Sequence, residues 1–330
     1  MIPVLVTGAA GYVGSHACKV LAQSGFEPIG IDSLERAGLR MLPWGPLEVV
    51  DTTDAAGVAR ILQRYRPLAA LHFAAYAYVG ESAAQPALYY GNNFGGSLGL
   101  FEALRTAGIG NWVFSSSCAT YGVPDILPIG EDHPQRPVNP YGTGKLMVER
   151  MLLDCDRAHE VRSVALRYFN AAGADPDSEI GECHEPETHV IPLAIRTALG
   201  EHEALDIFGT DYATPDGTAV RDYVHVTDLA RAHVMALGYL LDGGASEAFN
   251  LGTGKGHSVR EVVATVESVT GRPVRHRAAP RRAGDPPVLV ADASKARERL
   301  GWNPEEPDLT GIVRTAVDWH RRWRSRNPVS

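Results

Sequence analysis

Residues 4–14, Val4-Leu5-Val6-Thr7-Gly8-Ala9-Ala10-Gly11-Tyr12-Val13-Gly14, decide the fold. Val4 to Thr7 is a short run of apolar and β-branched residues, the composition of a buried strand. Three glycines follow at once, and Ser15 to Gln23 reads as a helix closed by Ser24-Gly25. A second apolar run, Pro28 to Ile31, ends at Asp32. Strand, glycine turn, helix, strand, acid is the order a dinucleotide site needs. Glycine lets the backbone approach a pyrophosphate closely, and the helix N-terminus supplies free N–H groups and a positive dipole end. An acid at the end of the second strand takes both ribose hydroxyls and repels a 2′-phosphate, which favours NAD over NADP.

The alternation continues beyond this unit. Leu47 to Val50 ends at Asp51, a candidate for the adenine edge, and Val58 to Tyr65 is helical. Leu68 to Phe73 reads as a buried strand followed by Ala74-Ala75, Leu88 to Ala107 has helical spacing, and Asn111 to Ser115 is another strand. Apolar strands alternating with helices predict an α/β fold: a Rossmann-type, doubly wound parallel sheet covered on both faces. Ligands of such sheets lie beyond the C-terminal ends of the strands, where every motif so far sits. Residues 1–170 read as the NAD-binding domain, with segments around 221–235 returning to it. Residues 171–330 read mainly as a smaller α/β substrate domain.

The strand at Trp112-Val113-Phe114 runs into Ser115-Ser116-Ser117, and hydroxyls at a strand end suggest a polar site. Downstream, Tyr141 and Lys145 stand four residues apart in Pro140-Tyr141-Gly142-Thr143-Gly144-Lys145, so both project from one helix face. A phenol of pKa about 10 is a poor base at neutral pH. A neighbouring ammonium and the positive charge of NAD favour the phenolate and pull that pKa down. Ser117 bridges the phenol and a substrate hydroxyl in this reading. Alone, Tyr-x-x-x-Lys describes many surface helices; joined to the glycine turn, Asp32 and the serine-ended strand, it reads as machinery for oxidising an alcohol.

The C-terminal half is less explicit. Leu166 to Asn170 is a strand ending in an amide, placed to hold a phosphate or sugar oxygen. A turn-rich stretch, Gly209 to Thr218, leads into a strand from Val220 to Val226 that carries Arg221. Arg281-Arg282-Ala283-Gly284-Asp285 sets a second cation beside an acid. A forked guanidinium suits a diphosphate, although each arginine read alone is more simply a surface salt bridge.

Composition narrows the partners. The chain has 330 residues, with 31 basic and 39 acidic side chains and a net charge of -8, which argues against nucleic acid or an anionic membrane. None of the four cysteines forms a C-x-x-C pair, and His225 and His233 lack metal-ligand spacing, so no metal is expected and a reducing cytoplasm is. No apolar run is long enough to span a bilayer, and the N-terminus reads as a folded strand rather than a signal peptide. The tail beyond His320 is basic and expected to fray.

The glycine turn, Asp32, Ser117, Tyr141 and Lys145 together resemble the extended branch of the short-chain dehydrogenase/reductase superfamily. The ordered segments TGAAGYVGSH, HFAAYAYVGES, FSSSCATYG, NPYGTGKLMVE, LRYFNAAGADP, GTDYATPDGTAVRDYVHVTDLA and RRAGDPP go further and resemble the UDP-glucose 4-epimerase (UDP-galactose 4-epimerase) family over nearly the whole chain. The resemblance implies reversible oxidation at carbon 4 of a UDP-sugar, with NAD retained through turnover. It implies Tyr141 as the acid/base, Lys145 as the tuning residue on the nicotinamide ribose, and Ser117 as its hydrogen-bonding partner. Near NAD it places Gly8, Gly11, Tyr12, Val13, Gly14, Asp32 and Ser33. It adds Asp51, Thr52, Phe73, Ala74, Ala75 and Asn92, then Ser115, Tyr168 and Phe169 from later strands. Near the UDP-sugar it places Ser117, Tyr141, Asn170, His189, Val190, Phe208, Arg221, Arg282, Asp285 and Leu289. A homodimer built through the helices at 88–107 and 143–159 is also implied.

Departures from the family pattern are specific. Ala77 stands where many members have lysine, with Tyr76 and Tyr78 beside it; His189 replaces an asparagine; and Leu289 occupies a gate beside the sugar that is tyrosine in some members. Leucine there leaves N-acetylated UDP-sugars open as substrates, and the AYVGES segment leaves UDP-xylose/arabinose open. A UDP-sugar dehydratase or decarboxylase needs an acid pair near the sugar. Ser117 is followed by Cys118-Ala119-Thr120, without a carboxylate. A non-catalytic nucleotide-sugar-binding regulator would not need the complete Ser117, Tyr141, Lys145 set.

Overall fold

The computed structural model describes residues 1–36, 41–282, 284–306 and 308–326. Its centre is the strand β1 (Ile2–Thr7), whose Val4, Leu5 and Val6 are fully buried. On one side lie β2 (Phe26–Asp32) and β3 (Leu47–Val49); on the other lie β4 (Ala69–His72), β5 (Asn111–Ser115) and β6 (Arg162–Tyr168). Three later strands, β7 (Asn170–Ala172), β8 (Leu205–Phe208) and β9 (Val220–His225), leave this sheet. The next, β10 (Glu247–Leu251), returns and pairs with β6, with Glu247 opposite Val164. The seven strands run in the order β10-β6-β5-β4-β1-β2-β3, and every pair is parallel.

Helices cover both faces because the strands are apolar on both. On one face, α1 (Tyr12–Gln23) packs with a helix from much later in the chain, Val226–Leu241, through Ala17, Leu21, Leu229, Ala236 and Leu237. On the other face, α2 (Ala55–Tyr65) and the helices Gly96–Thr106 and Pro140–His159 bury Val58, Ile61, Leu100, Phe101, Val148 and Leu152. The segment read as one helix from Leu88 to Ala107 has three parts. After α3 (Val79–Ala84) come α4 (Pro86–Tyr89), a wide π-helical turn (Tyr90–Gly95) and α5 (Gly96–Thr106). The π turn presents Asn93, which grips the backbone of Tyr76 at both ends: its Oδ1 accepts from Tyr76 N at 2.8 Å and its Nδ2 donates to Tyr76 O at 2.9 Å. Widened turns of this kind recur at functional sites.

Beyond α6 (Pro140–His159), a smaller body is built on β9. This strand pairs with β7 in parallel, with β11 (Gly256–Ser258) antiparallel, and with β13 (Val288–Leu289) in parallel. A separate pair joins β8 to β12 (His276–Ala279). Helices α7 (Val190–Ala198), α9 (Val259–Thr270) and α11 (Leu309–Arg326) enclose a third core around Ile195, Val262, Val266, Val313 and Val317, while α8 (Val226–Leu241) and α10 (Ser294–Leu300) belong to the large sheet.

Two details depart from the sequence reading. The return to the large sheet begins with Val224 of β9 and runs past residue 235 through β10 to Leu251, because α8 supplies the apolar cover for α1 and β10 caps the β6 edge. The chain also stays helical past His320 to Arg326: the Trp319 and Trp323 rings pack tilted at 5.4 Å, and His320 and Arg324 both pair with Glu201. No helix among the described residues is long and apolar enough to cross a membrane.

Candidate active site at the strand ends

The glycine turn is too tight for side chains at two positions. Gly8 has φ +67°, and a Cβ there would stand 2.7 Å from the backbone N of Ala74. A Cβ on Gly14 would stand 2.1 Å from the carbonyl oxygen of Gly8. The first clash is with the Phe73-Ala74-Ala75 strand end, so two segments distant in sequence are pressed together where a pyrophosphate needs backbone on both sides. Thr7 ties them further: its Oγ1 accepts from Ala74 N at 3.2 Å and is hydrogen-bonded to His72 Nδ1 at 2.6 Å. Burial pushes His72 down to about 3, so it is a neutral linker, and its Nε2 reaches Ser97 at 2.8 Å.

Asp32 ends β2 with its carboxylate fixed. One oxygen accepts from Ala10 N at 3.0 Å and the other from Leu34 N at 2.9 Å. Its burial raises its pKa, and these two N–H groups oppose the rise. Each oxygen keeps a lone pair for a ribose hydroxyl. Ser33 follows directly. Asp51 turns its carboxylate onto Thr53 (N and Oγ1, both 2.7 Å), and Thr52 lies against Gly96. Tyr12, just past the turn, donates its hydroxyl to Gly173 O at 2.6 Å and so bridges the cofactor side to the loop after β7; Val13 sits in the first turn of α1. Phe73 packs on His233 at 4.5 Å between ring centroids. Asn92 donates to Asn93 at 2.9 Å. This cradle of glycine backbone, helix N-terminus and fixed acid fits a dinucleotide, with Asp32 on a ribose.

Tyr141 and Lys145 stand one turn apart in the first turns of α6, a helix capped by Asn139 through Gly142 N at 2.8 Å. The Lys145 ammonium donates to Ser115 O at 2.6 Å and lies 5.8 Å from the centre of the Tyr141 ring. Both residues are buried. Burial lowers the Lys145 pKa to about 7, with Glu149 opposing. Burial raises the Tyr141 phenol well above its ordinary value; Tyr168 adds to the rise and the Ser117 hydroxyl opposes it. The protein groups themselves therefore raise the phenol, against the expected lowering, because desolvation outweighs the Ser117 hydrogen bond. Ser115 Oγ meets the Tyr168 hydroxyl at 2.9 Å, and Phe169 is buried beside Cys118 and Tyr121.

The substrate-side residues gather on β9 and the loops around it. Arg221 Nη2 meets Asp285 Oδ1 at 2.5 Å and donates to Pro286 O at 2.8 Å, which holds the loop after Arg282 to β9. The Arg282 guanidinium lies over the Phe208 ring at 4.1 Å. Leu289, opposite Arg221 in β13, packs against the cluster that contains Phe169 and Cys118. Asn170 opens β7 opposite Tyr223. Ala283 of the same loop lies outside the described residues. His189 caps the start of α7 ahead of Val190, but its imidazole turns onto Glu182. Burial disfavours its charge, yet Glu182 and Glu187 outweigh that and hold its pKa up at about 9. His225 and His233 are buried packing groups, both pushed down to about 4 chiefly by burial.

Two groups of residues were missed from sequence. Arg36 lines a narrow cavity with Ala10, Gly11 and Tyr12 on one wall and Gly181, Cys183 and His184 on the other. Its guanidinium lies over the Tyr76 ring at 3.9 Å and pairs with Glu81 at 2.6 and 3.1 Å. It comes from a loop whose sequence has no periodic signal. The second group is Glu182, His184 and Glu187, whose Glu-x-His-x-x-Glu-x-His spacing with His189 was legible.

Comparison with known proteins agrees with this geometry. The chain is 51% identical over 319 residues to a UDP-glucose 4-epimerase of Rhizobium leguminosarum bv. trifolii, covering 97% of each. The solved structure of UDP-glucose 4-epimerase from Brucella ovis in complex with NAD superposes with a TM-score of 0.94 at 51% identity, over 96% of this chain and 98% of that one. The Bifidobacterium longum enzyme in complex with NAD+ and UDP superposes with a TM-score of 0.93 at 36% identity, over 99% of both chains. Residues 4–252 match the NAD dependent epimerase/dehydratase family, and the chain belongs to that family.

Proposed function

We propose that this chain is an NAD-dependent UDP-glucose 4-epimerase that interconverts UDP-galactose and UDP-glucose. The observation that carries this reading is the gathering of Tyr141, Lys145 and Ser117 at the C-terminal end of β5, on the same edge of the parallel sheet as the glycine turn that follows β1. NAD, when bound, accepts and returns the hydride at carbon 4. The glycine turn and Asp32 would hold it, with Lys145 toward its nicotinamide ribose. Tyr141 Oη takes the proton of the carbon-4 hydroxyl, directly or through Ser117, and later gives it back. Lys145, already near its neutral point, lends positive potential to the phenol and is anchored by the Ser115 carbonyl. Arg221, Arg282 and Asn170 anchor the diphosphate side. Firm anchoring there, with few contacts to the sugar, lets the keto sugar turn without escaping before it is reduced on its other face.

The test is conversion of UDP-galactose to UDP-glucose without added reductant. Tyr141→Phe is expected to lower kcat by about 10²–10⁴-fold while UDP binding is kept. Full activity in that variant overturns the assignment. A 4-keto-6-deoxy product would indicate a dehydratase instead.

The same reading takes the enzyme to be a cytoplasmic homodimer. Leu98 on α5 and Leu153 on α6 are 42% and 40% exposed, on the two helices implied as the dimer seam. Leu153→Arg is expected to shift the mass measured by light scattering from two chains to one.

A further inference from the structure

We propose that Glu182, His184, Glu187 and His189 form a divalent-metal site suited to zinc, in the loop between β7 and α7. One ligand atom from each of the four lies within 4.8 Å of all the others. His184 Nδ1 is 3.0 Å from Glu182 Oε1, His189 Nδ1 is in contact with the same oxygen, and Glu187 Oε1 is 3.5 Å from His189 Nδ1. Donors at about 2.0–2.1 Å from a tetrahedral zinc stand ~3.3 Å from one another. The 3.0 and 3.5 Å separations lie on either side of that edge, and the His189–Glu182 contact is closer than it, so zinc would have to part that pair. Two imidazole nitrogens and two carboxylate oxygens are a borderline donor set that zinc accepts.

Charge points the same way. The side chains of Glu182 and Glu187 are only 7% and 4% exposed, yet among the described residues no lysine or arginine pairs with either. A neighbouring cluster on the same loop shows the contrast. Asp175, Asp177 and Glu179 surround the Lys19 ammonium at 2.8, 3.2 and 2.8 Å, so that cluster already holds its cation. Their partners are imidazoles, His189 for both and His184 for Glu182. Two carboxylates buried together are costly, and a dication would neutralise both, with the imidazoles giving up any proton as they become ligands.

The site also has a place in the architecture. From Gly173 to His189 the chain has no helix or strand, so local backbone bonding does little to fix its path. His184 stands edge-on to Tyr12 at 6.3 Å and to Tyr78 at 6.0 Å, and Trp319 Nε1 donates to Glu182 O at 3.0 Å. Gly181, Cys183 and His184 form one wall of the cavity beside the glycine turn. A metal here fixes that wall and the start of α7 together. Its role is positional, and it takes no part in the proton transfers.

The experiment is titration of the full-length, chelator-treated protein with zinc chloride, followed by calorimetry and by thermal melting. The Glu182→Gln/His184→Ala double variant is measured alongside, with its circular dichroism spectrum checked for folding. Expected are one zinc per chain in the wild type, a loss of affinity of about 100-fold or more in the variant, and a melting point raised by zinc only in the wild type. Cobalt(II) in place of zinc is expected to give the intense visible band of a tetrahedral site. The proposal is overturned if the wild type takes up less than one equivalent. It is equally overturned if the double variant binds zinc as well as the wild type, which would assign the uptake to surface histidines. Should the variant not fold, the wild-type stoichiometry and cobalt spectrum decide alone.

Discussion

At the scale of single residues, the site works by burying groups that would be unremarkable in water. Lys145 donates to one carbonyl and is buried, so desolvation brings its pKa down to about 7 although Glu149 opposes the fall. The sign of the resulting stability change follows from proton counts. Between about pH 7 and the ordinary lysine value near 10.4, the unfolded chain binds a proton at this position that the folded chain does not. Stability from this group therefore rises with pH across that window, and below pH 7 the full cost of a buried ammonium is present. In the cofactor-free chain, Lys145→Met is expected to flatten that rise, read from urea unfolding at a series of pH values. An unchanged slope would mean the ammonium is better solvated than its surroundings indicate. Gly14 shows the opposite kind of residue control: with 2.1 Å to Gly8 O, no side chain fits without opening the turn.

At the scale of elements, α6 joins chemistry to core. Tyr141, Lys145 and Glu149 follow at four-residue spacing on one buried face. Glu149 forms a buried pair with Arg167 of β6 at 2.7 Å, and its carboxylate also accepts from Ser116 and Gln135. The helix is thereby locked to the strand ends that carry Ser115 and Tyr168. Removing one partner strands the other charge in the core. Glu149→Ala is expected to cost about 3–5 kcal/mol in equilibrium unfolding, because Arg167 is left unpaired. Glu149→Gln, which keeps the hydrogen bonds in part, is expected to lose less. The helix itself was legible from its Pro140 start and its spacing. The Glu149–Arg167 lock was not, because β6 lies beyond the end of that helix and nothing local ties the two positions together.

At the scale of the whole molecule, the two bodies are interwoven rather than strung in series. The core on the α1 face of the large sheet includes Leu229, Ala236, Leu240, Phe249 and Leu251, all from beyond residue 220. Tyr121 adds a polar tie, donating to Asn250 at 2.7 Å. A chain ended at residue 170 would expose the apolar face of α1 and the edge of β6. It is expected to lack a cooperative melting transition and near-ultraviolet dichroism. A sharp transition in that fragment would show that the first 170 residues form an independent unit.

Local chemistry alone determined much of this protein. The glycine turn, the acid closing β2, the strand–helix alternation and the Tyr141–Lys145 spacing are short-range patterns, and short-range sterics and periodicity force them whatever surrounds them. Tertiary structure decided the rest. It brought Ala74 onto Gly8, Arg221 onto Asp285, Arg36 to the cavity beside the glycine turn, and β10 to the edge of β6. It also raised the phenol and lowered the ammonium, because desolvation depends on which distant segments close over a group. Those contacts join residues tens to more than a hundred positions apart, and their energy comes from burial that exists only once the chain has folded.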